Sequence, residues 1–388
     1  MRRFAALFAV LALALAPAPA SAQVRAPTVA PAKAHTVAFE FLAERQILFP
    51  ITINGHRAEA WLDSGASATI VDAAFARQIG LPLGQTVTAQ GVAGTVTGVR
   101  LSQAQVKIGD VGLPVRRVAV MDLSDVAAVV PRPVQVILGR EAFQDAVVDI
   151  DFGSREISFT PRAEFRPPRQ RPLRLRPSGA LRSFPISIEG LKTEAILDLG
   201  NSGALLLDRD FAERQGLLRT RPTSTQLSVG ADGARESLIA SFDRVSVGGV
   251  RFDRVVGVAT RGLATHAPAN VGLEILSRFE VTIDFPGERL WLRPIPGAAE
   301  RPFRKNRAGL SVAPAMDHIR VTHVAAGSPA QAAGWRVGDR IVAVNGQKAD
   351  RTYAGSELSR WIYGPAGQTA ELTLDDGSRR TLKLADYF

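Results

Sequence analysis

From Val37 onward the chain reads as short runs of alternating apolar and polar positions, punctuated by glycine, asparagine and proline. Ile51-Thr52-Ile53, a turn at Asn54-Gly55 and the run Ala58 to Leu62 predict a β-hairpin, because a period of two puts one face of each strand on a core. Val71 to Ile79 predicts a short helix that stops at Gly80. The same runs then return. Ile51-Thr52-Ile53-Asn54-Gly55 is matched by Ile186-Ser187-Ile188-Glu189-Gly190, and Glu59-Ala60 by Glu194-Ala195, at an offset of 135 residues. One added residue later the offset is 136, which carries Asp72, Phe75, Gly80 and Leu81 onto Asp208, Phe211, Gly216 and Leu217. Val106-Lys107-Ile108-Gly109 answers Val245-Ser246-Val247-Gly248, and Asp151-Phe152 answers Asp284-Phe285. Such self-similarity predicts a mainly β chain with two equivalent lobes. Equivalent lobes tend to pack about a pseudo-two-fold axis, which brings their equivalent loops together.

The stretches outside the repeat differ in character. Met1-Arg2-Arg3, the apolar run Phe4 to Ala16 and the small residues Ala20-Ser21-Ala22 predict a signal peptide over residues 1–22, cleaved before Gln23. A Pro/Ala-rich lead-in covers 23–36, and no later run is long and apolar enough to span a membrane. The expectation is an exported protein, periplasmic or secreted, with no integral membrane segment once processed. Without cysteine there is neither a disulfide framework nor a lipid attachment site. Between the lobes, Arg162 to Arg182 mixes arginine with Pro167-Pro168, Pro172 and Pro177, which predicts an extended connector. After Pro294-Ile295-Pro296-Gly297, Ser328-Pro329 opens a short helix ending at Gly334. Gly338-Asp339 then turns the chain into an apolar strand, and Asn345-Gly346 makes another hairpin turn.

Composition changes this picture little. At 388 residues and 46% hydrophobic, the chain can fill two or three cores. The net charge of +10 is mostly scattered arginine, part of it in the signal peptide and the connector, with no interleaved aromatics. It reads as a solvated surface rather than a nucleic-acid site. The five histidines have no metal-ligand spacing, and no cofactor or metal is expected.

Chemistry enters with Ala60-Trp61-Leu62-Asp63-Ser64-Gly65-Ala66-Ser67, which the repeat returns as Ala195-Ile196-Leu197-Asp198-Leu199-Gly200-Asn201-Ser202-Gly203. With Ile137-Leu138-Gly139 in the first copy and Asn270-Val271-Gly272 in the second, the chain resembles the retropepsin-like aspartic proteases, with both half-sites fused in one polypeptide. The resemblance covers roughly residues 37 to 296. Residues 308–346 similarly resemble a PDZ domain. Together they imply two acid-protease β-barrel lobes, 37–165 and 182–296, joined by 166–181, then a short linker at 297–306 and a β-rich PDZ domain with two helices at 307–388.

The resemblance implies that Asp63 and Asp198 form a dyad sharing one proton. One carboxylate would take a proton from water while the other donates to the scissile carbonyl of a protein or peptide substrate. Ser64, Gly65, Gly200 and Asn201 are the supporting positions, with Ser64 able to tie the two motif loops together and Leu199 unable to. The side-chain amide of Asn201 is expected to donate to Asp198, and Asn270 stands where the family has an apolar residue. Gly91, Val92 and Gly94 fall where the family carries a mobile flap, and Asp232-Gly233 is the turn of its duplicate. In the PDZ unit, the loop and strand around Gly309, Leu310 and Ser311 would hold a peptide C-terminus through backbone N–H groups.

Three other readings compete. The departures in lobe two suit a protease fold that binds peptides without cutting them, or a scaffold that presents the PDZ domain. Gly200-Asn201-Ser202-Gly203 also looks like the nucleophile motif of PDZ-bearing serine proteases. Ser202 would then need a histidine such as His35 or His56 as its base.

Overall fold

The computed structural model describes residues 35–388 apart from 91–94, 115, 125–133, 231–232, 264 and 355. The predicted signal peptide and lead-in, and the flap candidates Gly91, Val92 and Gly94, lie outside the described residues.

Each lobe begins with the predicted hairpin. Gln46–Ile53 pairs with His56–Leu62 from Leu48↔Trp61 to Ile53↔His56. The turn has positive φ at both central residues, 47° at Asn54 and 85° at Gly55, which suits the right-handed strand twist. Lobe two repeats it with Leu181–Ile188 and Leu191–Leu197 around Glu189, φ 50°, and Gly190, φ 86°. A later strand then inserts parallel to the motif strand. Val136–Leu138 aligns Leu138 with Leu62, and Ala269–Val271 aligns Val271 with Leu197. These insertions build a 10-stranded sheet in each lobe among the described residues.

The helix expected over 71–79 is shorter. Ile70–Asp72 is a strand, and the helix is Ala73–Gln78, because the Asp72 side chain accepts from the N–H of Ala74 and Phe75 and so fixes the start. Lobe two copies this, with Asp208 capping Arg209–Arg214.

The lobes are fused by a sheet that neither could build alone. Its order is His35–Ala38, Glu156–Pro161, Ala146–Asp151, Phe279–Asp284, Arg289–Pro294 and Leu173–Arg174. Across its centre Val148 faces Ile283 while Ile150 faces Val281. Val148 corresponds to Val281 in the repeat, and Ile150 to Ile283, so a local two-fold passes through the Asp149↔Thr282 pair. One apolar core runs through both lobes, with Phe143 and Phe285 stacked at 4.9 Å between ring centres. The arginine- and proline-rich connector is extended and contributes Leu173–Arg174 to this sheet and Arg176–Ser178 to the sheet of lobe two.

The third unit has its own core around Leu310, Val321, Trp335, Ile341, Trp361 and Leu372. Its strands run in the order Leu310–Pro314, Ile319–Val324, Arg340–Val344, Thr369–Leu374 and Arg379–Lys383, with Gln347–Lys348 beside the third. Ser328 caps the helix Pro329–Ala332, and a 3-10 helix covers Glu357–Tyr363. The segment before it is not a free tether. Phe303 is buried in the shared core under the Arg278 guanidinium, 3.7 Å from its ring centre. Among the described residues no helix is long and apolar enough to cross a membrane.

Candidate active site

The inserted strands decide what the motif loops can do. Asp63 N donates to Leu138 O and Asp198 N to Val271 O, so each aspartate leaves its strand pinned to the inserted one. The loop then crosses the glycine that follows. A Cβ on Gly139 would meet the Ala68 carbonyl at 2.6 Å, and one on Gly272 would meet the Gly203 carbonyl oxygen at 2.4 Å. Only glycine permits this crossing. It turns the backbone so that its N–H groups face the carboxylate. Asp63 Oδ1 accepts from Gly65 N at 2.7 Å and Ala66 N at 3.0 Å. Asp198 Oδ1 accepts from Gly200 N at 2.8 Å and Asn201 N at 3.0 Å.

Packing about the two-fold brings the loops into contact. A Cβ on Gly65 would lie 2.6 Å from Asp198 Oδ1, and one on Gly200 2.3 Å from Asp63 Oδ1. Ser64 Oγ donates to Leu197 O at 2.8 Å and accepts from Leu199 N at 3.0 Å, tying the loops together from one side. Leu199, its counterpart, is buried in the shared core and makes no such tie.

Both carboxyl groups are buried, Asp63 at 1% exposure and Asp198 at 0%. Burial first, and then the charge of Asp198 beside it, hold the Asp63 carboxyl well above the usual carboxylate range, against the pull of Gly65 N and Ala66 N. Burial also raises Asp198, but Asn270, then the two loop amides, then the hydrogen bond from Asp63 oppose it. Each carboxyl group therefore holds a proton more firmly than a free one would, and the two titrate as a pair. A protonated acid beside an ionised base can remove a proton from one reacting atom and supply one to another.

Lobe two departs from the sequence expectation in one contact. The side-chain amide of Asn201 does not donate to Asp198; its Nδ2 donates to Asn270 Oδ1 at 2.8 Å, and Asn270 Nδ2 donates to Asp198 Oδ2 at 2.5 Å. The Asn201 side chain is turned away because its Oδ1 already accepts from Gly203 N at 2.8 Å. Ser202 is buried, and its carbonyl accepts from Arg304 Nη2 at 3.1 Å. His56 is exposed at the outer end of the strand His56–Leu62, roughly 20 Å from the motif at about 3.3 Å per residue, out of reach as a base for Ser202.

Sequence reasoning passed over two residues after the crossing glycines. Glu141 accepts from Thr69 Oγ1 at 3.1 Å, and Thr69 Oγ1 in turn accepts from Gly139 N at 3.1 Å. Its counterpart Glu274 accepts from the Arg304 backbone N–H at 2.5 Å. The repeated Gly-x-Glu at 139–141 and 272–274 is the signal that could have found them. Arg304 also donates to the carbonyls of Ala43 and Glu44, and so joins both lobes to the lead into the third unit.

In the third unit, Gly309 has φ +78° and lies against Ser328, leaving no room for a Cβ. The N–H groups of Ala308 and Gly309 donate to Asn306 Oδ1 at 3.1 and 3.0 Å. These donors of the expected carboxylate loop are therefore already engaged within the chain. Leu310 and Ser311 are buried, and with Val312 they line a cavity of about 320 Å³. Its other walls are Tyr363 of the 3-10 helix, Arg45 of lobe one and Leu227 of lobe two. Thr225 Oγ1 with His323 Nε2 at 3.0 Å, and Ser224 Oγ with Ala326 O at 2.5 Å, hold the third unit to the hairpin of lobe two. That hairpin, Thr223–Gly230 with Gly233–Phe242, closes at Gly230↔Gly233 around residues outside the described set.

A family model described as aspartyl protease matches residues 49–142 and again 184–273, and a PDZ domain model matches 320–375. No curated protein matches the chain.

Proposed function

Since the chain carries two aspartyl protease repeats of retropepsin-like kind followed by a PDZ domain, we propose that it is an exported aspartic endopeptidase working through Asp63 and Asp198. The observation that carries this reading is the reciprocal packing of the motif loops, each glycine lying on the other lobe's carboxyl group. That arrangement needs both lobes and gives one buried pair with one proton to share. A water between the carboxyl groups and a scissile carbonyl loses a proton to one and attacks carbon, while the other protonates the carbonyl oxygen. Leu199 favours a second reading, a peptide-binding protein that does not cleave, because the hydroxyl tie made by Ser64 has no counterpart at Leu199.

Export rests on the basic, apolar and small-residue segments of residues 1–22, and a periplasmic or secreted location follows from it. The PDZ domain supports peptide recognition. With Ala308 N and Gly309 N engaged by Asn306, the strand edge at Leu310–Pro314 is the better supported element for binding, by addition of a peptide strand. A peptide there would touch the lobe-two hairpin through the shared cavity, so that PDZ occupancy regulates cleavage.

Incubating the processed protein with an unfolded polypeptide from acid to neutral pH, and reading new termini by mass spectrometry, tests the proposal. Internal cleavage abolished by Asp63→Asn supports it. Binding without cleavage at every pH selects the second reading.

A further inference from the structure

Besides the exchange of Ser64 for Leu199, the two halves of the dyad differ at a pair of buried positions beside the carboxyl groups. In lobe one these are Ala66 and Ile137, buried in an apolar cluster with Trp61 and Ile70. Their counterparts follow from the backbone. Arg140 N donates to Ala66 O as Leu273 N does to Asn201 O, and Ile137 faces Trp61 as Asn270 faces Ile196. Lobe two thus puts two asparagines, 1% and 0% exposed, where lobe one has a methyl group and an isoleucine. Burying two amides is unfavourable unless their groups find partners, so packing alone does not explain the exchange.

Their orientation is fixed from one end. Gly203 N can only donate, so Asn201 turns its Oδ1 to it and its Nδ2 onward. Asn270 must then present its oxygen to Asn201, which leaves its own Nδ2 for Asp198 Oδ2. A backbone amide thereby sets the sense of a relay that ends on a carboxylate oxygen. That oxygen receives a donor, and a proton on it would collide with the Asn270 N–H. Asp63 Oδ2 has no such donor among the described contacts, since the equivalent side chain is Ile137.

We propose that Asn201 and Asn270 are a positioning pair that keeps Asp198 as the ionised base of the dyad and Asp63 as its protonated acid. The chemical consequence rests on the endopeptidase reading above. Asp198 takes a proton as the water oxygen bonds to the carbonyl carbon, and Asp63 gives its proton to the carbonyl oxygen. The C–N bond then breaks as Asp198 returns its proton to nitrogen and a diol hydroxyl returns one to Asp63, leaving both groups as they began. Other ionisable groups near these loops are Arg140 and Glu141 on the turn after Gly139, Glu274 after Gly272, and Arg304 on the Ser202 carbonyl. The ionisable group lying against Asp198 itself is Asp63, across the two motif glycines.

The test is a pH titration of the processed full chain labelled with carbonyl-13C aspartate, the two signals being assigned from their loss in Asp63→Asn and Asp198→Asn. The parent should show Asp198 ionising at lower pH than Asp63. The double variant Asn201→Ala with Asn270→Ile, which copies lobe one, should raise the Asp198 titration by about one pH unit or more, the scale of a lost hydrogen bond to a buried carboxylate. Asn270→Leu, of similar size, checks the result should the double variant fold poorly, because leucine offers Asp198 no donor and should give a shift of the same sign. An Asp198 titration unmoved in both variants, or a parent with the proton on Asp198, overturns the proposal. If the parent cleaves nothing yet shows the split and the shift, the assignment stands and the endopeptidase reading falls.

Discussion

Gly200 lies directly on the carboxyl group of Asp63, so close that a Cβ added to it would sit 2.3 Å from the Asp63 Cγ. Gly65 stands in the same relation to Asp198, with 2.7 Å to its Cγ. Each lobe therefore supplies the floor under the other lobe's aspartate. The motif glycine serves the partner loop as well as its own turn.

Gly200→Ala and Gly65→Ala should each remove hydrolysis while destabilising the fold by about 1–3 kcal/mol, the usual range for forcing a methyl into a packed site. The added methyl has no flexible neighbour to displace, since what it meets is a carboxyl group held by two backbone amides. Thermal unfolding beside turnover checks this. An active Gly200→Ala variant would mean that the two loops part during catalysis.

The dyad should also show in the pH dependence of stability. Asp63 binds its proton more tightly folded than unfolded, so the folded chain holds more protons once pH exceeds the unfolded value of about 3.9. The Asp63 contribution is fully present below that value and is lost as pH rises towards the folded one. Asp63→Asn removes this loss and keeps a donor for Asp198. Its melting temperature should match the parent in acid and exceed it at neutral pH. A gap that shrinks as pH rises would contradict the raised carboxyl.

Arg304 should matter far more than its place in a linker suggests. Its guanidinium binds the carbonyls of Ala43, Glu44 and Ser202, and its backbone N–H binds Glu274. Arg304→Ala removes the guanidinium paired with Glu274 at 3.6 Å, leaving Arg45 and Arg278 as its cations, and should destabilise the protein by about 1–3 kcal/mol. Arg304→Met, which keeps the stem but not the charge, should do nearly as badly. Denaturant unfolding of the two variants decides between charge and packing.

Phe388 offers a test of the PDZ boundary. The ring is buried in the core shared by the lobes, with Lys305 Nζ 4.5 Å from its centre, while the PDZ core is separate. Phe388→Ala should therefore destabilise the whole chain by about 3 kcal/mol. In an isolated 307–388 fragment, expected to fold alone, the same change should be nearly silent. An unfolded fragment by NMR would show that the lobes are needed to hold it.

Much of this was legible because duplication exposes itself at turns. Asn54-Gly55 and Glu189-Gly190 share a positive-φ pair that strand twist demands, and the residues around them repeat for the same reason. The aspartates and the crossing glycines were legible on the same ground, since no other residue passes the loop at Gly139 or Gly272. What the sequence hid were long-range partners. Nothing local announces that the 148–150 and 281–283 segments pair across the two-fold, or that Asn306 answers the amides of Ala308 and Gly309. Asn201 was expected to reach Asp198 itself because spacing along a loop does not say which way a side-chain amide turns. The Gly203 N–H decided that, two residues further on.

Three substitutions separate the readings of the site. Asp63→Asn and Asp198→Asn should each lower kcat/KM by at least about a thousandfold, because an amide neither accepts the water proton nor shares one, and the pair acts as a unit. Ser202→Ala should keep most of the activity, since the proton transfers run between the two aspartates and the change leaves the Ser202 carbonyl on Arg304 intact. A serine nucleophile predicts the reverse order, and His56 on its distant hairpin turn gives Ser202 no base. The informative failure is loss with Asp63→Asn but not with Asp198→Asn. Lobe two would then be a relic, and the working pair would come from two copies of lobe one. Sedimentation of the active species would reveal that as a dimer. Yet Ser64 reaches across to Leu197 and Leu199 within one chain, and a dimer of first lobes would have to break that tie before it could form.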